Sequence, residues 1–148
     1  MYYKMLVLHE NTKYTKVRGM NQKQIVDYWQ AEADESLAVT NHLFEKKDYS
    51  YALFFGHLAV EKIIKALYVQ NCDQDVPRTH NLLRLTKAAQ IETTEQQQRD
   101  LIRITAFNLE SRYPDYKRNF RKKCTREFSK IEINTIKEVF LWLKSMLQ

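Results

Sequence analysis

Residues 49–69 read YSYALFFGHLAVEKIIKALYV, and this stretch decides the fold. Its only formally charged residues are Glu61, Lys62 and Lys65, so a helix formed here is apolar on nearly every side. Such a helix lies inside a protein and needs other elements packed around it. The stretch therefore predicts the central helix of a helical bundle.

A long amphipathic helix is predicted before this stretch. From Asn21, a residue type favoured at helix N-caps, apolar residues recur at intervals of three and four as far as Phe44. The first helix should therefore end near Lys46. Because Asp48 can cap the central helix almost at once, the connection is short and the two helices must form an antiparallel hairpin.

Three further helices are predicted after the central one. Thr79 begins a short helix, and Thr94, with a capping-box glutamine three residues later, begins a longer one that ends before Pro114. The last helix begins at Thr125 or at Ser129. The fold class is therefore all-α, an up-and-down bundle of four or five helices. Its last helix is expected to bury, among others, Ile131 and Ile136.

The composition excludes folds that depend on glycine. The chain has 148 residues but only two glycines, Gly19 and Gly56, whereas strands joined by tight hairpins use glycine to reach positive φ. Neither a P-loop nor a dinucleotide-binding fingerprint can be written with so few glycines. The length suits one domain, which we assign to residues 20–148, with residues 1–19 as an N-terminal appendage.

Two interpretations of residues 1–19 remain open. Met20 stands directly before the first helix, so translation could begin there and the preceding segment would be dispensable. Alternatively, the segment is a short strand or arm that packs on the bundle. The sequence does not separate these interpretations.

The cysteines and apolar segments indicate a cytoplasmic protein. Cys72 and Cys124 are far apart and form no CxxC pair, which favours a reducing compartment and no zinc site. The apolar run at residues 5–8 is too short for the core of a signal peptide. Residues 51–60 are interrupted by His57 and cannot span a bilayer, so we expect no membrane association.

The basic charge is concentrated in residues 112–126. Seven Lys and Arg residues stand there against one acidic residue, so this segment carries the whole net charge of +6. Aromatic residues alternate with the cations, so phosphates could bind beside rings on which unpaired bases stack. The alternative is a solvated loop and helix entry whose cations only keep the protein soluble. The candidate residues for binding nucleotide or nucleic acid are Arg112, Tyr113, Tyr116, Lys117, Arg118, Arg121 and Lys122.

Polar residues inside the central helix form a second candidate site. His57 and Glu61 are four residues apart and share one helix face with Lys65, one turn further on. A metal site would need a third or fourth ligand, and no other histidine stands at a supporting spacing. We expect a buried polar network of His57, Glu61 and Lys65, in which Lys65 or Lys62 compensates the carboxylate, and no metal.

Three segments carry a resemblance to a known family. Residues 57–67 (HLAVEKIIKAL), 79–85 (THNLLRL) and 111–115 (SRYPD) follow one another in this order. Together they resemble the HEPN domain, the "higher eukaryotes and prokaryotes nucleotide-binding" family, over about residues 21–148. The first segment is the most specific, through its Ala-x-Glu-Lys-x-x-Lys-Ala pattern. The resemblance implies a HEPN-like bundle of four to five helices, usually homodimeric, often encoded beside a minimal nucleotidyltransferase in toxin–antitoxin or related defence systems.

Many members of that family are metal-independent ribonucleases, and this sequence departs from their motif. Their active site pairs an arginine with a histidine four to six residues later, across the dimer. Arg112 stands where the arginine belongs, but residues 117–119 are Lys-Arg-Asn and no histidine follows His80. The imidazole that would act as acid or base is therefore missing. His80 itself is expected at a helix start, with its ring bonded to backbone or to a carboxylate.

The function that follows from these observations is binding. We expect a HEPN-domain protein that binds nucleotide or single-stranded nucleic acid, needs no cofactor, and is accessory to a nucleotidyltransferase partner. The alternative is a metal-independent ribonuclease with a degenerate motif, in which Arg112 would be the catalytic residue.

Overall fold

Six α-helices make up the described part of the chain. A computed structural model describes residues 19–148, apart from the side chains of residues 111 and 114–116. The predicted appendage, residues 1–19, lies outside these residues except for Gly19. Within residues 19–148 there is no strand, so the predicted all-α class is confirmed. The helices are α1 (Gln22–Glu45), α2 (Tyr49–Asn71), α3 (Leu82–Ala88), α4 (Glu95–Arg112), α5 (Pro114–Lys123) and α6 (Arg126–Lys144).

Helix α2 is the centre of the bundle, as its apolar sequence predicts. Buried side chains occur on all sides of it from Ala52 to Val69, and each of the other five helices packs against it. Among residues 19–148, neither α2 nor any other helix combines the length and apolar content that crossing a membrane requires.

Helix α1 packs along α2 in the antiparallel direction that the short connection requires. At the start of α1, Gln22 Nε2 donates to the backbone oxygen of Val69, near the end of α2, at 2.8 Å. Asn21 and Gln24 form a reciprocal capping box at the same end. Asp48 occupies the N-cap position of α2 as predicted, but its side chain accepts no capping hydrogen bond.

The remaining long helices complete the up-and-down arrangement. The end of α6 lies beside the end of α2, where Gln70 Nε2 donates to the backbone oxygen of Met146 at 3.1 Å. Helix α5 joins the end of α4 to the start of α6, and Arg103 of α4 pairs with Glu132 of α6. Helices α1 and α4 therefore run opposite to α2 and α6.

Of the helix starts predicted at Thr79 and Thr94, one is confirmed and one is wrong. Thr94 caps α4 with its capping box, as predicted. Helix α3, however, begins after Asn81, whose side chain accepts from the Arg84 N–H at 2.9 Å, and not at Thr79. The backbone before Asn81 is not helical, and the carbonyl oxygen of His80 accepts a hydrogen bond there from the ring of His57 on α2, at 3.0 Å. A tertiary contact thus shortens the helix.

The last helix begins at Thr125, the first of the two predicted starts, whose side chain accepts from the backbone of α6. Ser129 is buried within the helix. Ile136 is fully buried as predicted, but Ile131 is exposed. Since Ile131 lies five residues before Ile136, it is turned about 140° away from the core, and Ile133 takes the buried position instead.

One glycine allows α2 and α6 to approach closely. A Cβ atom built on Gly56 would lie 2.6 Å from Cδ1 of Ile136, which is shorter than any ordinary contact. The absence of a side chain at this position therefore sets the spacing between the two helices.

Candidate functional site

Most of the basic segment, residues 112–126, is a helix and not the solvated loop that a charge run alone suggests. Helix α5 begins with Pro114, at the first helical position, where a missing N–H costs no hydrogen bond. Phe120, only 3% exposed, packs on Phe107 of α4 with ring centroids 5.9 Å apart. This aromatic contact anchors α5 to the bundle.

Four of the predicted cations lie side by side on α5. At about 100° per residue, Lys117, Arg121, Arg118 and Lys122 follow one another over about 140° of the helix circumference. All four side chains are exposed. We call these four residues the basic face. Within the described part of the chain, none of them forms an ion pair with a carboxylate.

Tyr51, in the first turn of α2, lies against one side of the basic face. The Nζ atom of Lys117 is 5.6 Å from the centroid of the Tyr51 ring, and the guanidinium carbon of Arg121 is 5.7 Å from it. Arg121 Nη2 also donates to the Tyr51 hydroxyl at 3.3 Å. Each such cation–ring contact contributes about 0.5–1 kcal/mol at an exposed site. Sequence reasoning missed Tyr51 because it stands in a stretch whose apolar composition indicates core.

The other predicted binding residues lie at the start of α5. Arg112 is the last residue of α4 and is exposed. Tyr113 caps both helices, and its ring is exposed. The side chain of Tyr116 lies outside the described residues. The structure thus brings four cations together on one helix side, with Arg112 and Tyr113 at the junction that precedes it.

The polar residues of α2 form a buried network centred on Glu61. Lys65 Nζ lies 2.6 Å from Glu61 Oε1, and His80 Nδ1 lies 3.0 Å from Oε2. His57 Nε2 lies 3.9 Å from the same carboxylate. Lys65 Nζ is also 5.0 Å from the centroid of the Trp29 ring. The predicted set of His57, Glu61 and Lys65 comes together here, and His80 joins it from the segment before α3.

The network is neutralised internally. Burial raises the pKa of Glu61, but the Lys65 ammonium and the hydrogen bond from His80 together hold that pKa well below its usual range. Burial lowers the pKa of His57 more than Glu61 raises it, so its ring is neutral. Lys62, the other lysine considered as a partner for Glu61, pairs with Glu32 instead, at 3.3 Å.

The protonation of His57 follows from its contacts. Because Nε2 must donate to the carbonyl oxygen of His80, Nδ1 carries only a lone pair. Nδ1 is buried and has no hydrogen-bond partner among the described residues. The contacts therefore fix the segment before α3 onto α2, which is a structural role. Among the described residues, no group of three His, Cys, Asp or Glu side chains is arranged to hold a metal ion.

Comparisons with known proteins agree with the sequence resemblance. A family model described as "HEPN domain" matches residues 26–146. The fold is similar to the crystal structure of TT1696 from Thermus thermophilus, with a TM-score of 0.72 and 18% sequence identity. The superposition covers 82% of this chain and 98% of that one. A comparison with curated proteins found no match.

Proposed function

The chain belongs to the HEPN domain family, and from this premise we propose that it binds nucleotide or single-stranded nucleic acid through the basic face of α5, without catalysing a reaction. The observation that carries the proposal is the position of four exposed cations on one side of a ten-residue helix, with no carboxylate partner among the described residues. Phosphates are the ligands that such a surface favours.

The arrangement has a cost that a bound polyanion relieves. Lys117 and Arg121 are four residues apart, as are Arg118 and Lys122, and each like-charged pair at this spacing destabilises a helix by about 0.2–0.5 kcal/mol. An isolated helix of this length is marginal even without repulsion. A surface that serves solubility alone intersperses charges of both signs. The concentration of positive charge on one side of α5 therefore favours a binding role.

Aromatic side chains beside the cations favour single strands. The exposed ring of Tyr113 can stack on an unpaired base, a contact that contributes about 1–3 kcal/mol, and we propose the same role for Tyr116. Bases in a duplex are already stacked on their neighbours and cannot use these rings. Arg112 adds a phosphate contact at the same junction.

The sequence around Arg112 favours binding over cleavage. No histidine follows His80 in the sequence. The two described histidines nearest to Arg112 in sequence are already engaged, because His80 is bonded to Glu61 and His57 is buried. Lysine and tyrosine, with ordinary pKa values of about 10, are poor general bases at neutral pH.

The test is the affinity for a short fluorescent single-stranded RNA, measured by anisotropy over a series of salt concentrations. For the triple variant R112A/R118A/R121A we expect weaker binding and a salt slope reduced by about 2, because each lost phosphate contact removes about 0.7 from the slope. A matched control removes three exposed cations of α1 and α3: Lys23, Arg84 and Lys87. If the natural protein does not bind the RNA, the single-stranded nucleic-acid part of the proposal is contradicted. Equal effects of the two triple variants would contradict the role of the basic face.

The same RNA tests the alternative of a ribonuclease. Incubation with the protein in EDTA should leave the RNA intact. Cleavage that persists in EDTA and disappears in the Arg112→Ala variant would establish a metal-independent ribonuclease in place of a binding protein.

We propose that the protein works as a homodimer, as is usual in the family. Ile102 and Leu109 are exposed on α4 seven residues apart, so they share one face that a second copy would cover. The molar mass from light scattering at micromolar concentration should be that of a dimer, and I102D/L109D should halve it. A monomeric natural protein would contradict this part.

The family also supports the proposal of a nucleotidyltransferase partner in a toxin–antitoxin or defence-type module. A neighbouring gene for a minimal nucleotidyltransferase is the expected observation, together with co-purification of the two proteins when they are expressed together. Separate elution of the two proteins at every salt concentration would contradict the partnership.

A further inference from the structure

Three hydrogen-bond donors meet where α5 packs beside the first turn of α2. Lys117 contributes an ammonium group and Arg121 a guanidinium group, one helical turn apart. The Tyr51 hydroxyl accepts a hydrogen bond from Arg121 Nη2 and keeps its own hydrogen to donate. The residues that meet are up to 70 positions apart in the sequence, so only the fold brings them together.

We propose that Tyr51, Lys117 and Arg121 form a site for a single phosphate group, and that Tyr51 both contacts the phosphate and positions the two cations. The proposal rests on the proposed function and names the part of the basic face that grips the ligand. The phosphate belongs either to a free nucleotide or to the backbone of a single strand. The chemistry of recognition is the same in both cases.

The ring of Tyr51 distinguishes these two cations from the other two of the basic face. Long Lys and Arg side chains lose rotamer entropy when they bind, and a contact that already restricts them reduces this loss. Lys117 and Arg121 both lie within 6 Å of the Tyr51 ring centroid. Within the described residues, Arg118 and Lys122 make no such contact. Equal charges on one helix should therefore contribute unequally to binding.

The packing of Tyr51 in the bundle suits it for this role. It belongs to the central helix, its side chain is half-buried, and the adjoining residues Ala52 and Leu53 are fully buried. Helix α5 is held independently by Phe120. The positions of the donors are thus set before a ligand arrives, which is how preorganisation raises affinity.

The experiment compares two double variants that are matched in charge, helix and spacing. K117A/R121A should weaken RNA binding about tenfold more than R118A/K122A, since charge-assisted hydrogen bonds to a positioned phosphate are lost only in the first. Tyr51→Phe keeps the ring and removes the hydroxyl, and should weaken binding about fivefold. Thermal unfolding and far-ultraviolet circular dichroism of each variant verify that α5 remains folded.

Inorganic phosphate and AMP serve as further probes and separate the two sources of phosphate. Both should compete with RNA on the natural protein and on R118A/K122A, but not on K117A/R121A. If RNA binds and the two double variants are equally weakened, the phosphate site is refuted while the proposed function stands. If phosphate and AMP bind but RNA does not, the site stands and its ligand is a nucleotide. If none of the three probes binds, both proposals fail.

Discussion

The carboxylate of Glu61 compensates the only buried lysine of the α2 network, so Glu61→Gln tests how much that compensation stabilises the fold. The Glu61 side chain is 4% exposed and that of Lys65 is 9% exposed, with 2.6 Å between Oε1 and Nζ. Glutamine keeps the shape and removes the charge. Because an uncompensated ammonium group then remains inside the protein, the free energy of unfolding should fall by about 3–5 kcal/mol. That is a large part of the total of about 5–15 kcal/mol for a domain.

The measurement is urea unfolding at pH 7.5, followed by circular dichroism. Lys65→Met and the double variant E61Q/K65M complete a thermodynamic cycle. The double variant should lose less stability than the sum of the single variants by about 2 kcal/mol or more, since an apolar side chain replaces the unpaired charge. Asp27→Asn is the matched control, because Asp27 pairs with Lys23 at the same helical spacing, at 3.1 Å, with side chains 57% and 81% exposed. Its effect should stay within about 0.5 kcal/mol.

Two results would refute this reasoning about the network. The first is a loss in Glu61→Gln no larger than that in Asp27→Asn, which would mean that burial does not strengthen the pair. The second is additivity in the cycle, which would mean that Glu61 and Lys65 stabilise the fold independently of each other.

Three further predictions concern packing and pH. Gly56→Ala should lower the melting temperature, because a Cβ atom pressed against buried Ile136 costs about 1–3 kcal/mol. The alanine gains only about 1 kcal/mol in helix propensity. A higher melting temperature would contradict this prediction. Burial lowers the pKa of His57, so protons bind preferentially to the unfolded chain and stability falls as the pH drops below about 6.5, by at most about 1.4 kcal/mol at pH 5.5. His57→Asn should remove this loss in urea titrations at the two pH values, whereas substitution of exposed His42 should not. Phe120→Ala should cost about 3 kcal/mol or more and weaken RNA binding although no cation is lost; unchanged affinity would show that α5 docking is not needed.

Helix boundaries were predictable where the deciding contacts are local. The capping box at Thr94 lies within four residues of sequence, and the apolar periodicity of α1 is visible without any partner. Helix α5 was not predicted, because a single buried ring, Phe120, is hidden in a run of cations and its partner Phe107 belongs to another helix. The start at Asn81 in place of Thr79 likewise depends on a contact with a distant residue.

In the candidate sites, too, contacts within one helix could be predicted from the sequence, and contacts between distant segments could not. The spacing of His57 and Glu61 indicates their proximity because one helix carries both. The bond from His80 to Glu61 crosses 19 residues, and the contact of Tyr51 with Arg121 crosses 70. No periodicity relates such residues. A tyrosine at the start of an apolar helix is ordinary in a sequence, and it gains its significance only from the cations that the fold places beside it.

The proposed function depends on the charge of α5 more than on the net charge of the chain. Six excess cations spread over the surface would serve solubility equally well without weakening any helix. Five of the seven cations of residues 112–126 instead stand on α5, where they repel one another. This helix is too short to be stable alone, and Phe120 and Tyr51 hold it against the bundle. A ligand that binds only the folded helix stabilises it by mass action. The polyanion that we propose as ligand would also remove the repulsion, so its binding should stabilise α5. A merely charged helix would show no such coupling.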